Sequence, residues 1–127
     1  MGLTGIDHVV LTVRDLDRTC RFYTEVLGLR LEVSPEGRRS LHVGAQKINL
    51  HQAGREFEPK AAAPTPGSAD LCFLTGASPD DVLAHFRACG VDVVAGPVRR
   101  TGAQGALLSV YVRDPDGNLV EIGAAAP

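Results

Sequence analysis

Laying the stretch GIDHVVLTV (residues 5–13) over GSADLCFLT (residues 67–75) aligns Gly5 with Gly67, His8 with Asp70 and Val13 with Thr75. The offset is 62 from His8 to Asp70 (70 − 8), and it is 62 again from Gly28 to Gly90 (90 − 28). A register held across a strand and a helix constrains the fold before any local assignment, because each copy must be one and the same supersecondary unit.

Each copy begins with an apolar strand and passes into a helix. Asp15 and Ser78 stand where a side chain can accept a backbone N–H and cap that helix. Leu16, Cys20, Tyr23 and Leu27 in the first copy, and Val82, Phe86 and Cys89 in the second, recur at helical spacing and make one apolar face. Gly28 and Gly90 suit the left-handed position that ends each helix. Three extended segments are expected after each helix, over 29–34, 39–44 and 46–52 in the first copy and 91–99, 106–113 and 118–123 in the second. Gly44 serves the hairpin of one copy, and Pro115, Asp116 and Gly117 serve that of the other. The fold class expected is α+β, two tandem βαβββ modules covering 5–55 and 67–124, with the proline-bearing stretch 56–66 as linker in a single domain over 1–127.

Composition narrows the function classes. At 127 residues with 44% hydrophobic and 22% charged residues, the chain can bury an ordinary core. A net charge of −2 supplies no electrostatic footprint for nucleic acid or an anionic membrane. No apolar run is long enough for a membrane span and the amino terminus lacks the pattern of a secretory signal, so a cytoplasmic protein is expected. Cys20, Cys72 and Cys89 show no CxxC spacing and are read as reduced, mostly buried thiols.

Strand alternation sorts the first strand into Val9, Leu11 and Val13 on a helix-facing side and Ile6, His8, Val10 and Thr12 on the other. By the repeat, Asp70 takes the place of His8. In the last strands, Ile48 and Leu50 oppose Lys47, Asn49 and His51, and Val120 and Ile122 oppose Leu119 and Glu121. Shifting INLHQ by one against LVEIG, so that the apolar faces match, sets His51 at the position of Glu121. Four polar groups, His8, His51, Asp70 and Glu121, then occupy two repeat-related pairs on inward faces.

An unpaired buried carboxylate or imidazole costs several kcal/mol, roughly, so such groups converge where something neutralises them. A divalent cation does so. Two imidazole nitrogens and two carboxylate oxygens suit Zn, Ni, Co, Mn or Fe(II) and leave two positions of an octahedron for neighbouring substrate oxygens. The bland alternatives are a hydrogen-bonded core histidine, a turn aspartate and a solvated glutamate. His42 and His85 have no such repeat partner and are read as structural.

The segments DHVVLTVRDLDRTCRFYTEVLGL and YVRDPDGNLVEI, at the two ends of a double βαβββ pattern, resemble the vicinal oxygen chelate superfamily of glyoxalase I, extradiol dioxygenases, methylmalonyl-CoA epimerase and the fosfomycin and bleomycin resistance proteins. Within it, QKINLHQAGREFEPKAAAPTPGSADLC and GPVRRTGAQGALLSVYVRDPDGNLVEI are similar to the glyoxalase domain-containing protein 5 group and to bacterial relatives labelled virulence proteins. The resemblance implies an incomplete barrel around a metal, often within a homodimer, with the metal positions on His8, His51, Asp70 and Glu121. Asp70 departs from the histidine usual there in glyoxalase I and extradiol enzymes, and two carboxylates would neutralise the dication fully.

A chelating metal stabilises an enediolate, so glyoxalase-like lyase or isomerase chemistry on a small substrate is the expected reaction, with Glu121 as base and Asp70 as its rival. Glutathione is a candidate cosubstrate. An Fe(II) dioxygenase is the second reading. A metal-free protein that sequesters an antibiotic is the third, which a chain with no Trp, two Tyr and four Phe suits poorly. Arg99 and Arg100, opening the loop RRTGAQG over 99–105, and Asn49 are the substrate-binding candidates, while Lys60 in the linker is read as a surface lysine.

Overall fold

The computed structural model describes residues 1–127 and divides into two compact units, Met1–Gly67 and Ser68–Pro127. Each is an α+β module with one four-stranded sheet, and the two carry the same plan. In the first, β1 (His8–Val13) leads to α1 (Leu16–Arg21), whose last turns widen over Phe22–Val26, and then to β2 (Arg30–Val33), β3 (Arg39–Val43) and β4 (Gln46–Gln52). In the second, β5 (Asp70–Thr75), α2 (Pro79–Ala88), β6 (Ala95–Gly102), β7 (Gly105–Arg113) and β8 (Leu119–Ala125) follow in the same order. The sheets are ordered β1-β4-β3-β2 and β5-β8-β7-β6, with the first and last strand of each module parallel.

The local causes are those expected from the residues. Asp15 Oδ1 accepts from the Arg18 N–H at 3.0 Å and Ser78 Oγ from the Asp81 N–H at 3.1 Å, caps worth about 1 kcal/mol each. Gly28 and Gly90 end the helices at φ 74 and 68, and the next residues, Leu29 and Val91, give their N–H to Tyr23 and Phe86. Leu11, Val13, Cys20 and Tyr23 are buried in the first module; Val82, Phe86, Val110, Val112 and Val120 are buried in the second. α2 packs on β7 and β8, α1 on β4. In each sheet one face is thereby covered and the other left open.

Three expectations are corrected. Residues 91–94 are not strand: the Val91 N–H is spent on closing α2, and regular pairing begins at Ala95. The anticipated seven-residue loop over 99–105 is absent, because β6 and β7 pair as far as Gly102 with Gly105 and only Ala103 and Gln104 make the turn. Of the three thiols only Cys20 is buried; Cys72 and Cys89 are exposed, Cys72 because its strand position points to the open face.

The turn joining β7 to β8 is itself a buried polar network. Asp114 Oδ1 accepts the N–H groups of Asp116 and Asn118 at 2.9 and 3.0 Å, and its Oδ2 accepts Asn118 Nδ2 at 2.7 Å. Asn118 Oδ1 in turn accepts the Ala69 N–H at 2.9 Å, tying the turn to the residue before β5. The motif that reads as a simple turn in the sequence therefore anchors two strands.

Candidate metal and substrate site

The open face of the second sheet carries Asp70, Cys72 and Leu74 from β5, Glu121 and Gly123 from β8, and Leu107, Ser109 and Tyr111 from β7. Glu121 pairs across with Cys72, two positions along β5 from Asp70. Both carboxylates lie close enough to the Cys72 thiol on this face for their charges to act on it. Ser109, fully buried, donates its hydroxyl to Glu121 Oε2 at 2.6 Å, which fixes that carboxylate oxygen.

The field at this point is negative. Partial burial of the sulfur, the charge of Glu121 beside it, a hydrogen bond to Glu121 and the charge of Asp70 together push the Cys72 thiol up to about 11. Cys72 is thus a neutral thiol at physiological pH and not a nucleophile.

On the first sheet, His8, Val10 and Thr12 of β1 share the open face with Lys47, Asn49 and His51 of β4. His8 Nδ1 lies 2.8 Å from Asp7 Oδ2, and the imidazole beside Asp7 holds that carboxyl below its usual range. Nε2 of His8 stays free, as in metal sites where a carboxylate orients the ligating ring. The register corrects the alignment of the last strands. Glu121 faces Cys72, two residues after Asp70; the matching partner of Val10, two residues after His8, is Asn49. His51 instead faces Thr12, and four residues at a rise of about 3.3 Å put it roughly 13 Å along the sheet from the level of His8. Counting apolar faces was correct to the face and wrong by one pair of residues along it.

His51 belongs to other surroundings, a cavity of about 400 Å³ shared with Asn49 and Phe57. Phe57 meets the His51 ring edge-on at 5.4 Å, and the Arg38 guanidinium stands 4.2 Å from the Phe57 centroid. His42 contacts Ser40 Oγ at 3.3 Å and Glu32 at 3.5 Å, and His85 sits 3.7 Å from the Cys89 sulfur. Lys60 stands 3.7 Å from Glu58.

Strand alternation separates the two arginines. Arg100, paired with Leu107, is on the open face and donates from Nε to the Tyr111 hydroxyl at 2.9 Å; Arg99, paired with Leu108, points to the opposite side of the sheet. Within neither module are three or more His, Cys, Asp or Glu side chains gathered as a metal cluster. Sequence reasoning missed Ser109 and the Tyr111–Arg100 pair. Their signal was present as single polar residues inside the apolar run GALLSVYV, at positions in phase with Glu121.

Comparison with known proteins follows the same lines. The family model described as Glyoxalase/Bleomycin resistance protein/Dioxygenase superfamily matches residues 5–122. Virulence protein STM3117 of Salmonella typhimurium is 57% identical over 122 residues, 96% of this chain and 85% of that protein. Its crystal structure superposes with a TM-score of 0.97 at 54% identity, covering 99% of this chain and all (100%) of the other. Glyoxalase domain-containing protein RDO1 of Mycosarcoma maydis is 51% identical over 98% of this chain and 70% of its own length. Lactoylglutathione lyase from Agrobacterium tumefaciens has a TM-score of 0.74 at 27% identity, covering 98% of this chain and 96% of that one.

Proposed function

The chain belongs to the Glyoxalase/Bleomycin resistance protein/Dioxygenase superfamily, and on that premise we propose that it is a divalent-metal-dependent enzyme of the lyase or isomerase type, acting on a small molecule held through neighbouring oxygens. The observation that carries this reading is the pair Asp70 and Glu121, two carboxylates on one sheet face, of which Glu121 lines a cavity that holds no basic side chain. Carboxylates brought together without a cation call for one.

The donors present fit such an ion. His8 offers a free Nε2 on a ring held by Asp7, Glu121 offers a carboxylate held by Ser109, and Asp70 supplies the second acidic oxygen. In this proposal His8, Asp70 and Glu121 are the ligands. Asn49 stands at the repeat position of Glu121 with a neutral amide. One imidazole and two carboxylates suit Zn, Ni, Co, Mn or Fe(II) alike. Bound there, the ion supplies Lewis-acid polarisation of a chelated carbonyl, which makes the neighbouring C–H acidic.

The rest is the chain's own work. Glu121, oriented by Ser109, is the carboxylate that takes and returns the proton, and Asp70 keeps the second negative charge on the same sheet face. Tyr111 steadies Arg100 on the same face, where its guanidinium meets an anionic group of the substrate. Arg99 takes no part, since it lies across the sheet. The protein works as a homodimer on a small-molecule substrate in the cytoplasm, and no helix is long and apolar enough to cross a membrane.

Metal analysis of protein purified without chelator, followed by a turnover screen over hemithioacetals with glutathione, catechols and activated epoxides, tests the reading. Divalent metal near one equivalent per chain with lyase or isomerase turnover is the expected result. Ring cleavage of a catechol with Fe(II) would move the protein to the dioxygenase reading, and metal-free protein binding an antibiotic would move it to sequestration.

A further inference from the structure

The open face of the second module carries a cavity of about 640 Å³, a size that suits part of a small-molecule ligand. Leu74 of β5, Ala125 of β8 and the turn between β6 and β7 form its sides, and Glu121 is the one charged side chain in its wall. The wall contains neither a cation nor an aromatic ring. A carboxylate or phosphate entering it would meet Glu121 with nothing to neutralise it, and a flat aromatic group would find no ring to stack on.

Its floor is built around Leu107. A Cβ placed on Gly123 would come within 2.9 Å of Leu107 Cδ1, and one placed on Gly102 would lie 2.9 Å from the same atom. Glycines on both neighbouring strands thus clear a seat into which the leucine side chain lies flat against the sheet. Any larger residue at either glycine would lift Leu107 into the cavity.

We infer that this cavity takes the uncharged aliphatic end of the substrate and that Leu107, seated between Gly102 and Gly123, sets how long that end can be. The inference rests on the open face of the second module being the substrate site. It places the anionic end of any substrate outside the cavity, and it excludes the carboxylate ends of a glutathionyl group from it.

Binding of vicinal diols lengthening from propanediol to octanediol, followed by ligand-observed NMR with chelator present and again with Mn(II), tests the inference on the full chain. Affinity should rise about fourfold for each methylene buried, up to a limiting length. Leu107→Ala should extend that limit by about two to three carbons, the size of the group removed, and Leu107→Phe should shorten it. Replacing the terminal methyl of the longest diol by a carboxylate should abolish the gain. Affinity independent of chain length, or a limit that neither variant moves, overturns the inference. Because the length dependence is read with chelator present, a protein that binds no metal would still display it. Loss of the metal reading and loss of this one are therefore separate results.

Discussion

Glu121→Gln is expected to lower the affinity for divalent metal by at least about a hundredfold and to abolish turnover, while the protein folds as well as the parent. The amide can still accept the Ser109 hydroxyl through its oxygen, so the buried serine keeps its partner. What is lost is the charge. Removing it relieves the repulsion with Asp70 and the pressure on the Cys72 thiol, so thermal stability of the metal-free variant should be equal to or slightly above that of the metal-free parent. Calorimetric titration with Mn(II) and a melting curve in chelator read the two effects separately. Undiminished metal binding in Glu121→Gln would remove this residue from the ligand set, and a collapsed melting curve would make it a structural carboxylate.

The second large effect is expected three residues before Glu121, where the turn enters β8. Asn118→Ala deletes the 2.7 Å bond from its amide to Asp114 and the 2.9 Å bond that it accepts from the Ala69 N–H. Asp114 is buried, so its carboxylate loses one of its donors without gaining water. A charged hydrogen bond lost and a backbone donor orphaned amount to about 3 kcal/mol or more, which corresponds to a melting point lower by roughly 10 °C. The Ala69 anchor immediately precedes Asp70, so the variant should also bind metal more weakly than its residual folded fraction explains. A melting point within about 2 °C of the parent would show that the turn network contributes little.

Much of the fold was legible because the chain states it twice. His8–Val13 and Asp70–Thr75 are strands at the repeat offset, and both helices are capped by the residues whose side chains could do so. Faces were legible too, since strand alternation has a period of two and the apolar residues Leu11, Val13, Ile48 and Leu50 reveal the covered side. Register along a face was not. A shift of two residues keeps every side chain on the same side, so hydrophobic pattern alone cannot tell Asn49 from His51 as the counterpart of Glu121. Only the pairing of Val10 with Asn49 and of Cys72 with Glu121 does so.

Contacts made through long-range pairing were likewise invisible. Ser109 meets Glu121 across the β7–β8 hairpin, a contact that only the register of the two strands fixes. The glycines at 102 and 105 suggested a flexible loop, whereas in the structure they face each other across a tight hairpin. Gly123 is explained by the Leu107 side chain beside it, and Gly102 by that side chain together with the Gly105 carbonyl across the hairpin.

The central proposal is that Asp70 and Glu121, on the open face of the second sheet, hold a divalent ion. Mn(II) titration of the parent, Asp70→Asn, Glu121→Gln and the double variant, by calorimetry under one set of conditions, tests it most directly. Ligands of one ion are coupled, so each single variant should lose most of the affinity and the double variant should lose little more than either. An affinity equal to the parent's in either single variant would contradict the account.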